Sequence, residues 1–370
     1  MATPAETFLI FTLDLIALFA LYLILSTSLN LEYGYTGIPN FGKMLAVAAG
    51  AYVSGGITGR VAAWAVGVDP ALDYVANNAQ VSAQTSSALR ADIPLSIGLF
   101  LFTLVLAAGF GGVLGYLASY PAIRLREDHL AMLLLGMAEA LRIIGYSYSP
   151  ITGGPLGVAA TDVFGWIPIV QLRSVNVRPY VFIMLGLAAL VLLYAEFLVR
   201  SPLGRVLRAV RDNETAAATL GKDPVNIRTK ILVMSAGIAA LAGALNTFYT
   251  GAAIAPAYDR ANWTFIPWVM VILGGAANNF GAALGAFAFV TLRKLIAFYR
   301  FDIAPFVPFD PIWLDTLLLG VFLILILMYR PQGLLPEKPT LTLSNDKLRR
   351  IISDLKSRET KTSAKEPEAA

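Results

Sequence analysis

The sequence predicts an all-α, polytopic membrane protein of about nine transmembrane helices. Of its 370 residues, 57% are hydrophobic and only 14% are charged, whereas soluble domains carry about 25% charged residues. Two long runs, 93–120 and 231–254, contain no Asp, Glu, Lys or Arg. A chain this apolar cannot cover itself with polar surface in water, so most of it has to face lipid or neighbouring helices.

The individual spans follow from the thickness of a bilayer, whose hydrocarbon core needs about 20 mainly apolar residues per helix. In chain order the predicted spans are 8–29, 41–59, 93–120, 130–148, 180–199, 231–254, 263–277, 281–298 and 312–329. The seventh is short, and Gly-Gly and Asn-Asn pairs at 274–275 and 278–279 interrupt its join to the eighth. These two segments are therefore either two crossings or a broken, re-entrant pair, and the count of nine takes them as two crossings.

Orientation follows from Lys and Arg, which collect in short loops on the cytoplasmic side of a membrane. The loop after the fifth span contains Arg200, Arg205, Arg208, Arg211, Lys222, Arg228 and Lys230, and the tail contains Lys347, Arg349, Arg350 and Lys356. With both regions inside, Arg124 and Arg126 are also inside and the N-terminus is outside. Arg293, Lys294 and Arg300 then lie near the outer face, which this rule disfavours.

The domain organisation predicted is a single membrane domain with a tail. Residues 1–29 form the first transmembrane helix and residues 30–334 the rest of the transmembrane domain. Residues 335–370 are polar, charged and short of aromatic residues, a composition typical of disordered segments. The outer loop 60–92 is polar and rich in Asn, Gln, Ser and Ala.

Residues 201–221, which we call the coupling segment, are predicted to form one or two short helices outside the membrane. A Ser-Pro pair at 201–202 suits a helix start, Asp212 or Asn213 suits a second start, and Gly221 suits a helix end.

Composition leaves two interpretations of the coupling segment open. Arg205, Arg208 and Arg211 recur at three-residue spacing, and small residues follow at 216–218. An interfacial helix would use the arginines to hold lipid phosphates. A docking helix would use the small residues for close approach to a partner protein's cleft.

Two charged residues fall inside the fourth predicted span. Glu139 and Arg142 are three residues apart and share a helix face. Charges at that depth usually face a bundle interior or an aqueous cavity. The pair is therefore either a structural ion pair that locks one helix against another or a group that contacts the solute.

A glycine-rich stretch, Thr-Gly-Gly-Pro-Leu-Gly at 152–157, follows this span. So many glycines cannot continue a helix. The stretch is either a turn in an outer loop or a broken helix that lines a solute path, as in many transporters.

Enzymatic function is not expected of this chain. The G-x-x-x-x-G-K match at 37–43 is not a nucleotide site, because Met44 replaces the required Ser or Thr and no strand precedes it. With no Cys, one His and no nucleophile–base cluster, we expect no metal, no cofactor and no catalytic residue. An ATP-driven process would need its ATPase on another polypeptide.

Four sequence blocks cover most of residues 30–334. They are YTGIPNFG at 35–42 with GAY at 50–52; RLR at 124–126 leading through EALR at 139–142 to TGGPLG at 152–157; 201–221; and LGG at 273–275 with Gly281, Gly285 and RPQGL at 330–334. In this order and spacing, the chain resembles the permeases of branched-chain amino acid ABC importers, specifically the M-type subunit. The resemblance implies a type II ABC importer permease fold in the plasma membrane.

The resemblance also implies partners and residue roles. An H-type permease, two cytoplasmic ATPases that bind ATP and Mg²⁺, and an extracellular binding protein would complete the importer, with no nucleic acid involved. Contact with an ATPase would fall to Gly204, Arg205, Arg208, Ala209, Arg211, Asp212, Glu214, Ala217, Leu220 and Gly221. The translocation path would be lined or supported by Glu139, Arg142, Thr152, Gly153, Gly154 and Pro155.

This sequence departs from the family pattern at two places where a path contact could lie. Asn-Phe-Gly-Lys at 40–43 stands where relatives tend to have Ser-Leu-Gly-His, and Leu156 follows the Gly-Gly-Pro turn where Asp or Asn is frequent. The substrate is therefore the least determined feature. A urea or short-chain amide importer of the same family, an ion-coupled secondary transporter using Glu139 and Arg142, and a structural membrane protein without transport are the alternatives.

Overall fold

The structure, a computed structural model, describes residues 4–122, 125, 127–167, 170–172, 175–177, 180–306, 310, 313–337 and 352–353. Arg124, Arg126, the start of the ninth predicted span and the basic residues predicted in the tail lie outside these described residues.

Helices make up nearly all of the described chain. The α-helices are α1 (Pro4–Leu29), α2 (Lys43–Tyr52), α3 (Gly59–Val66), α4 (Asn78–Ala91), α5 (Ile93–Ala122), α6 (Glu127–Ser147), α7 (Ser149–Thr152), α8 (Val181–Arg200), α9 (Pro202–Asp212), α10 (Glu214–Thr219), α11 (Pro224–Thr250), α12 (Ile266–Gly274), α13 (Asn279–Phe298), α14 (Arg300–Ile303) and α15 (Trp313–Tyr329). Short π-helical segments at Asn30–Gly34, Val53–Thr58 and Ala261–Phe265 continue α1, join α2 to α3 and lead into α12. Short 3-10 turns occur at Gly154–Leu156, Ala255–Ala257 and Ala304–Phe306.

Two small antiparallel strand pairs complete the described secondary structure. β1 (Val158–Ala159) pairs with β4 (Ala252–Ala253), with Val158 opposite Ala253. β2 (Val170–Leu172) pairs with β3 (Val175–Val177). The first pair ties the stretch after α7 to the end of α11.

The all-α membrane fold is confirmed. Six helices of the described chain are long and apolar enough to cross a membrane: Glu6–Gly34, Ile93–Pro121, His129–Ser147, Val181–Arg200, Pro224–Thr250 and Asn279–Phe298. They coincide with six of the predicted spans. The other three correspond to the helical run 43–66, the shorter apolar helix Ala261–Gly274 and the 17-residue helix α15. The count of nine, and the choice between two crossings and a re-entrant pair, stay predictions.

The outer loop 60–92 is more helical than its polarity suggested. The second helical run continues to Val66, and α4 occupies 78–91. Alanine-rich sequence favours helix whatever its polarity, and α4 also buries Val81 and Leu89 on its inner side.

The centre of the bundle is α11, which packs between α2 and α5. At its crossing with α2 the two backbones touch, because a Cβ at Gly50 would collide with the carbonyl oxygen of Ala240. Likewise, a Cβ at Gly243 would collide with the carbonyl oxygen of Val47. Small residues that bring helix backbones together are typical of membrane proteins.

The segment that follows α15 is hydrogen-bonded to the C-terminal end of α12. The Leu334 and Leu335 N–H groups donate to the carbonyls of Leu273 and Gly274, at 2.9 Å each. The two halves of the fourth sequence block, far apart in sequence, are therefore in contact.

Two of the basic residues that the predicted orientation would put near the outer face have partners within the protein. Lys294 Nζ lies 2.5 Å from Asp14 Oδ2 on α1, and Arg293 Nη1 donates to the Tyr22 hydroxyl at 3.3 Å. Because an acidic partner offsets the charge of Lys294, that residue is a weak indicator of orientation.

Candidate functional site

The coupling segment folds as two short helices, as its sequence predicts. The Ser201 hydroxyl caps α9 by accepting from the Leu203 N–H at 3.2 Å, and the Asn213 side chain caps α10 by accepting from the Ala216 N–H at 2.9 Å. Gly221 follows α10 with φ +76°, and the Lys222 N–H donates to the Ala217 carbonyl at 3.1 Å. This is the glycine-terminated helix end that the sequence indicates.

One face of the coupling segment is packed against the rest of the protein. Leu207 and Val210 are buried, and Gly204 lies so close to the Val199 carbonyl that a Cβ would collide with it. Ala217 is also buried, whereas its neighbours Ala216 and Ala218 are exposed. The three alanines therefore do not form one docking face, because consecutive helical residues point about 100° apart.

Two of the predicted coupling arginines face inward. Arg211 Nη1 donates to the Gly34 carbonyl at 2.6 Å, and the Arg208 guanidinium lies 5.4 Å from the centre of the Tyr35 ring. These contacts fasten the coupling segment to the turn that follows α1. They engage Arg208 and Arg211 within the protein, which disfavours the interpretation in which these two arginines hold lipid phosphates, and contact of the segment with a partner protein stays a prediction.

The opposite face of the coupling segment is open. Arg205, Ala209, Asp212 and Gly221 are exposed, and Leu220 is 78% exposed. Glu214 is partly committed elsewhere, since its Oε2 lies 3.0 Å from Arg228 Nη1 on α11. A single exposed leucine does not by itself mark an interface, so the open face is identified by its exposure and by the packing of the opposite face.

Glu139 and Arg142 pair on a single helix. Arg142 Nε donates to Glu139 Oε1 at 2.9 Å, both residues lie on α6, and both side chains are about 30% exposed. The pair, called the open ion pair below, therefore does not lock one helix against another. Asp259 and Arg260, in the loop before α12, lie near enough to interact electrostatically with it.

An aromatic cluster of Tyr22, Tyr52, Tyr258 and Trp263 was not indicated by the sequence. It contacts α6 at Gly145, one helical turn after Arg142. The Tyr52 ring is T-shaped against Tyr258, at 6.2 Å, and Tyr258 and Tyr22 both stack on Trp263. Gly145 approaches the Tyr52 hydroxyl so closely that a Cβ there would collide with it. Spacing along the sequence could not reveal this cluster, because its members come from four different segments.

The Tyr258 hydroxyl is held by α11. It contacts Asn246 Nδ2 and Thr247 Oγ1, at 3.1 Å each. In contrast, the buried Tyr52 hydroxyl has no hydrogen-bond partner among the residues that the structure describes.

The glycine-rich stretch 152–157 is an ordered turn at the same end of the bundle as this aromatic cluster. Gly153 and Gly154 have φ +73° and +62°, which side chains disfavour. The Thr152 hydroxyl is buried and donates to the carbonyls of Gly145 and Tyr148, whereas Pro155 is exposed. The stretch thus ends the one-turn helix α7 and continues as the 3-10 turn Gly154–Leu156, and Thr152 connects it to α6 next to the open ion pair. Whether it lines a solute path stays a prediction.

A second ion pair, missed by the sequence analysis, is fully enclosed. Lys43 Nζ lies 2.9 Å from Glu32 Oε2, with 1% and 0% of the two side chains exposed. Asn40 Nδ2 donates to the same Glu32 oxygen at 3.0 Å, and Lys43 Nζ donates to Ser235 Oγ on α11 at 2.6 Å. We call Glu32 and Lys43 the buried ion pair. The available signal was a lysine inside the predicted span 41–59.

No group of three or more His, Cys, Asp or Glu side chains that could hold a metal ion occurs within the described part of the chain. The arrangement offers instead an exposed helix face on the coupling segment and, near the other end of α11, an accessible ion pair beside an aromatic wall.

Comparison with known proteins gives a consistent result. Residues 11–327 match the family described as the permease component of the branched-chain amino acid transport system. The chain is 38% identical, over 90% of its length and 96% of the relative, to a probable branched-chain amino acid transport permease protein LivM of Methanocaldococcus jannaschii.

Two further relatives are high-affinity branched-chain amino acid transport system permease proteins LivM, from Salmonella typhimurium and Escherichia coli. Each is 30% identical to this chain over 67% of the chain and 60% of the relative. No solved structure shows a significant match.

Proposed function

The chain belongs to the branched-chain amino acid transport permease family, and from that premise we propose that it is the M-type permease subunit of an ATP-driven importer. Its membrane helices and its relatives make it a multi-pass transport permease of the plasma membrane. The finer proposal is that it pairs with an H-type permease, two cytoplasmic ATPases and an extracellular binding protein. The observation that carries the ATP-driven part is the coupling segment, a capped helix pair with one anchored face and one open face.

The coupling segment would transmit the closure of the ATPases to the membrane domain. Its anchored face, through Arg208 and Arg211, joins it to the membrane helices. Its open face, with Arg205, Ala209 and Leu220, would seat in an ATPase cleft. A helix that is anchored by one face and bound to an ATPase by the other can transmit movement of the ATPase to the membrane helices. Such movement would shift the permease between its alternating conformations.

The open ion pair and the aromatic cluster are our candidates for the solute path. Glu139 and Arg142 offer one charge of each sign to the ammonium and carboxylate groups of an amino acid, and the Tyr52–Tyr258 wall offers an apolar surface to its side chain. An amino acid with a branched apolar side chain fits this combination better than urea, which has no apolar part. We expect weak contact here, because the binding protein would supply selectivity.

The first test is co-purification of the detergent-solubilised complex, with partners identified by mass spectrometry. Leu220→Asp with Ala209→Glu alters only exposed residues of the coupling segment, and Val225→Asp is the matched control, also exposed but just outside it. We expect wild type and control to retain an ATPase pair and a second permease, and the double variant to lose only the ATPases.

Uptake of labelled leucine, isoleucine, valine and urea into vesicles then identifies the substrate. ATP depletion should abolish uptake and a protonophore should not. If the chain purifies alone, or if a protonophore stops uptake while ATP depletion has no effect, the importer proposal is wrong and an ion-coupled transporter using Glu139 and Arg142 replaces it.

A further inference from the structure

The buried ion pair lies where the coupling segment meets the membrane helices. Glu32 is in the π-helical segment Asn30–Gly34 that ends the first helix, and Lys43 is the first residue of α2. Nine of the ten residues between them form the linking stretch 34–42 and contain both coupling-segment contacts, Gly34 and Tyr35. π-helical segments are rare and frequently occur at functional sites.

Stability alone does not account for two enclosed charges. A buried ion pair contributes little net stability, because desolvation offsets much of the attraction, and apolar residues of similar size often serve as well. Among the described residues, the second carboxylate oxygen, Glu32 Oε1, is buried without a hydrogen-bond partner. A buried oxygen without a hydrogen bond is unfavourable in the present conformation. It is also a second acceptor on the same carboxylate, to which the hydrogen bond of Lys43 or Asn40 could transfer.

The buried ion pair is connected to the coupling segment on one side. Arg211 holds the Gly34 carbonyl, two residues from Glu32, and Gly37 keeps the chain close to Arg211 with φ +72°. A displacement of the coupling segment therefore moves the backbone that carries Glu32.

On the other side, the buried ion pair is connected to α11. Lys43 Nζ donates to Ser235 Oγ, and Ser235 is also bonded to Ser28 through side chains and carbonyls at 2.7–2.9 Å. The same helix carries Asn246 and Thr247, three turns further on, which hold the Tyr258 hydroxyl of the aromatic cluster. A continuous set of polar contacts and one rigid helix thus connects the two ends of the molecule.

We propose that Glu32 and Lys43 are positioning residues that couple movement of the coupling segment to α11 and, through it, to the aromatic cluster. Because both side chains are enclosed, this role requires no contact with the solute. This inference rests on the proposed function, since it assigns to the buried ion pair the link between ATP hydrolysis and solute movement.

The test measures solute moved per ATP hydrolysed by the complete complex in proteoliposomes. The variant is Glu32→Gln with Lys43→Met, which removes both charges together and leaves no unpaired one. We expect assembly and melting temperature close to wild type, ATP hydrolysis retained, and a ratio of transport to hydrolysis lowered about tenfold, within the range usual for coupling between sites. The control is Asp14→Asn with Lys294→Met, an ion pair between α1 and α13. Because asparagine keeps an acceptor oxygen for the Tyr249 hydroxyl of α11, which contacts Asp14, the ratio should be unchanged.

Each outcome decides the matter. A double variant with the wild-type ratio would show that the buried ion pair is only structural, and equal losses in both double variants would show that any intramembrane charge pair matters. If the neutral variant does not assemble, Glu32→Asp, which shortens the carboxylate and keeps its charge, should lower the ratio in the same way, and an unchanged ratio there overturns the inference. Failure of the wild-type complex to move solute with ATP would count against the proposed function and not against this link alone.

Discussion

The buried ion pair and the open ion pair have the same charges and opposite surroundings. Glu32 and Lys43 are almost completely enclosed, and polar groups from α11 and the linking stretch contact them. Glu139 and Arg142 sit on one helix with about 30% of each side chain exposed. An enclosed pair cannot exchange its partner without a rearrangement of the protein around it, whereas an accessible pair can exchange its partner for a solute. Their difference suggests that the first serves positioning and the second contact.

The largest expected difference between the pairs is in stability. Lys43→Met leaves Glu32 as an unpaired buried charge, which should lower the free energy of unfolding by about 3–5 kcal/mol. Arg142→Met leaves a partly exposed carboxylate, so the loss should be about 1 kcal/mol or less. Melting temperatures of the solubilised protein compare the two variants directly, and equal decreases would contradict the distinction.

A smaller effect is expected on transport. Glu139→Gln should keep the melting temperature and lower uptake about tenfold, because a charge-assisted contact with the solute is replaced by a neutral one. The control is Asp310→Asn, which removes an acidic partner of Arg300 and is 45% exposed, against 29% for Glu139. If uptake falls equally in both variants, Glu139 has no special role in the path.

The smallest effect separates Tyr52 from Tyr258 in the aromatic cluster. Tyr258→Phe removes contacts to Asn246 and Thr247 and should cost about 1 kcal/mol of stability. Tyr52→Phe removes a hydroxyl that has no hydrogen-bond partner within the described residues. The free energy of unfolding of this variant should therefore not decrease. A decrease in leucine uptake by the Tyr52 variant alone would indicate that this hydroxyl contacts the solute, and unchanged uptake would show that transport does not need the hydroxyl.

Local features of the sequence were reliable predictors of structure. The uncharged run 93–120 lies within α5, and the run 231–254 lies within α11 except for its last four residues. Ser201 and Asn213 begin the two helices of the coupling segment, and Gly221 follows the second one, where the sequence predicts them. Both kinds of prediction depend only on residues within a few positions of each other, so no tertiary contact was needed to make them.

Features that depend on tertiary contact were not predictable. Lys43 could be recognised as unusual inside a span, but its partner Glu32 becomes its neighbour only when residues 34–42 fold back. In the same way, the regular spacing of Arg208 and Arg211 did not reveal that both face inward, because Gly34 and Tyr35 lie more than 170 residues away in the chain. The residue roles predicted for the path and for ATPase contact stay predictions.

The contact between α2 and α11 has a consequence for sequence variation. Gly50 and Gly243 each lie against a carbonyl of the opposite helix with no room for a Cβ. Because the clash is with backbone atoms, a larger residue at either position cannot be accommodated by a smaller side chain on the other helix. Random mutagenesis aimed at altered substrate preference should therefore return no replacements at these two codons. The tolerated diversity would instead collect at exposed positions such as Leu156, where a side chain of any size can be accommodated.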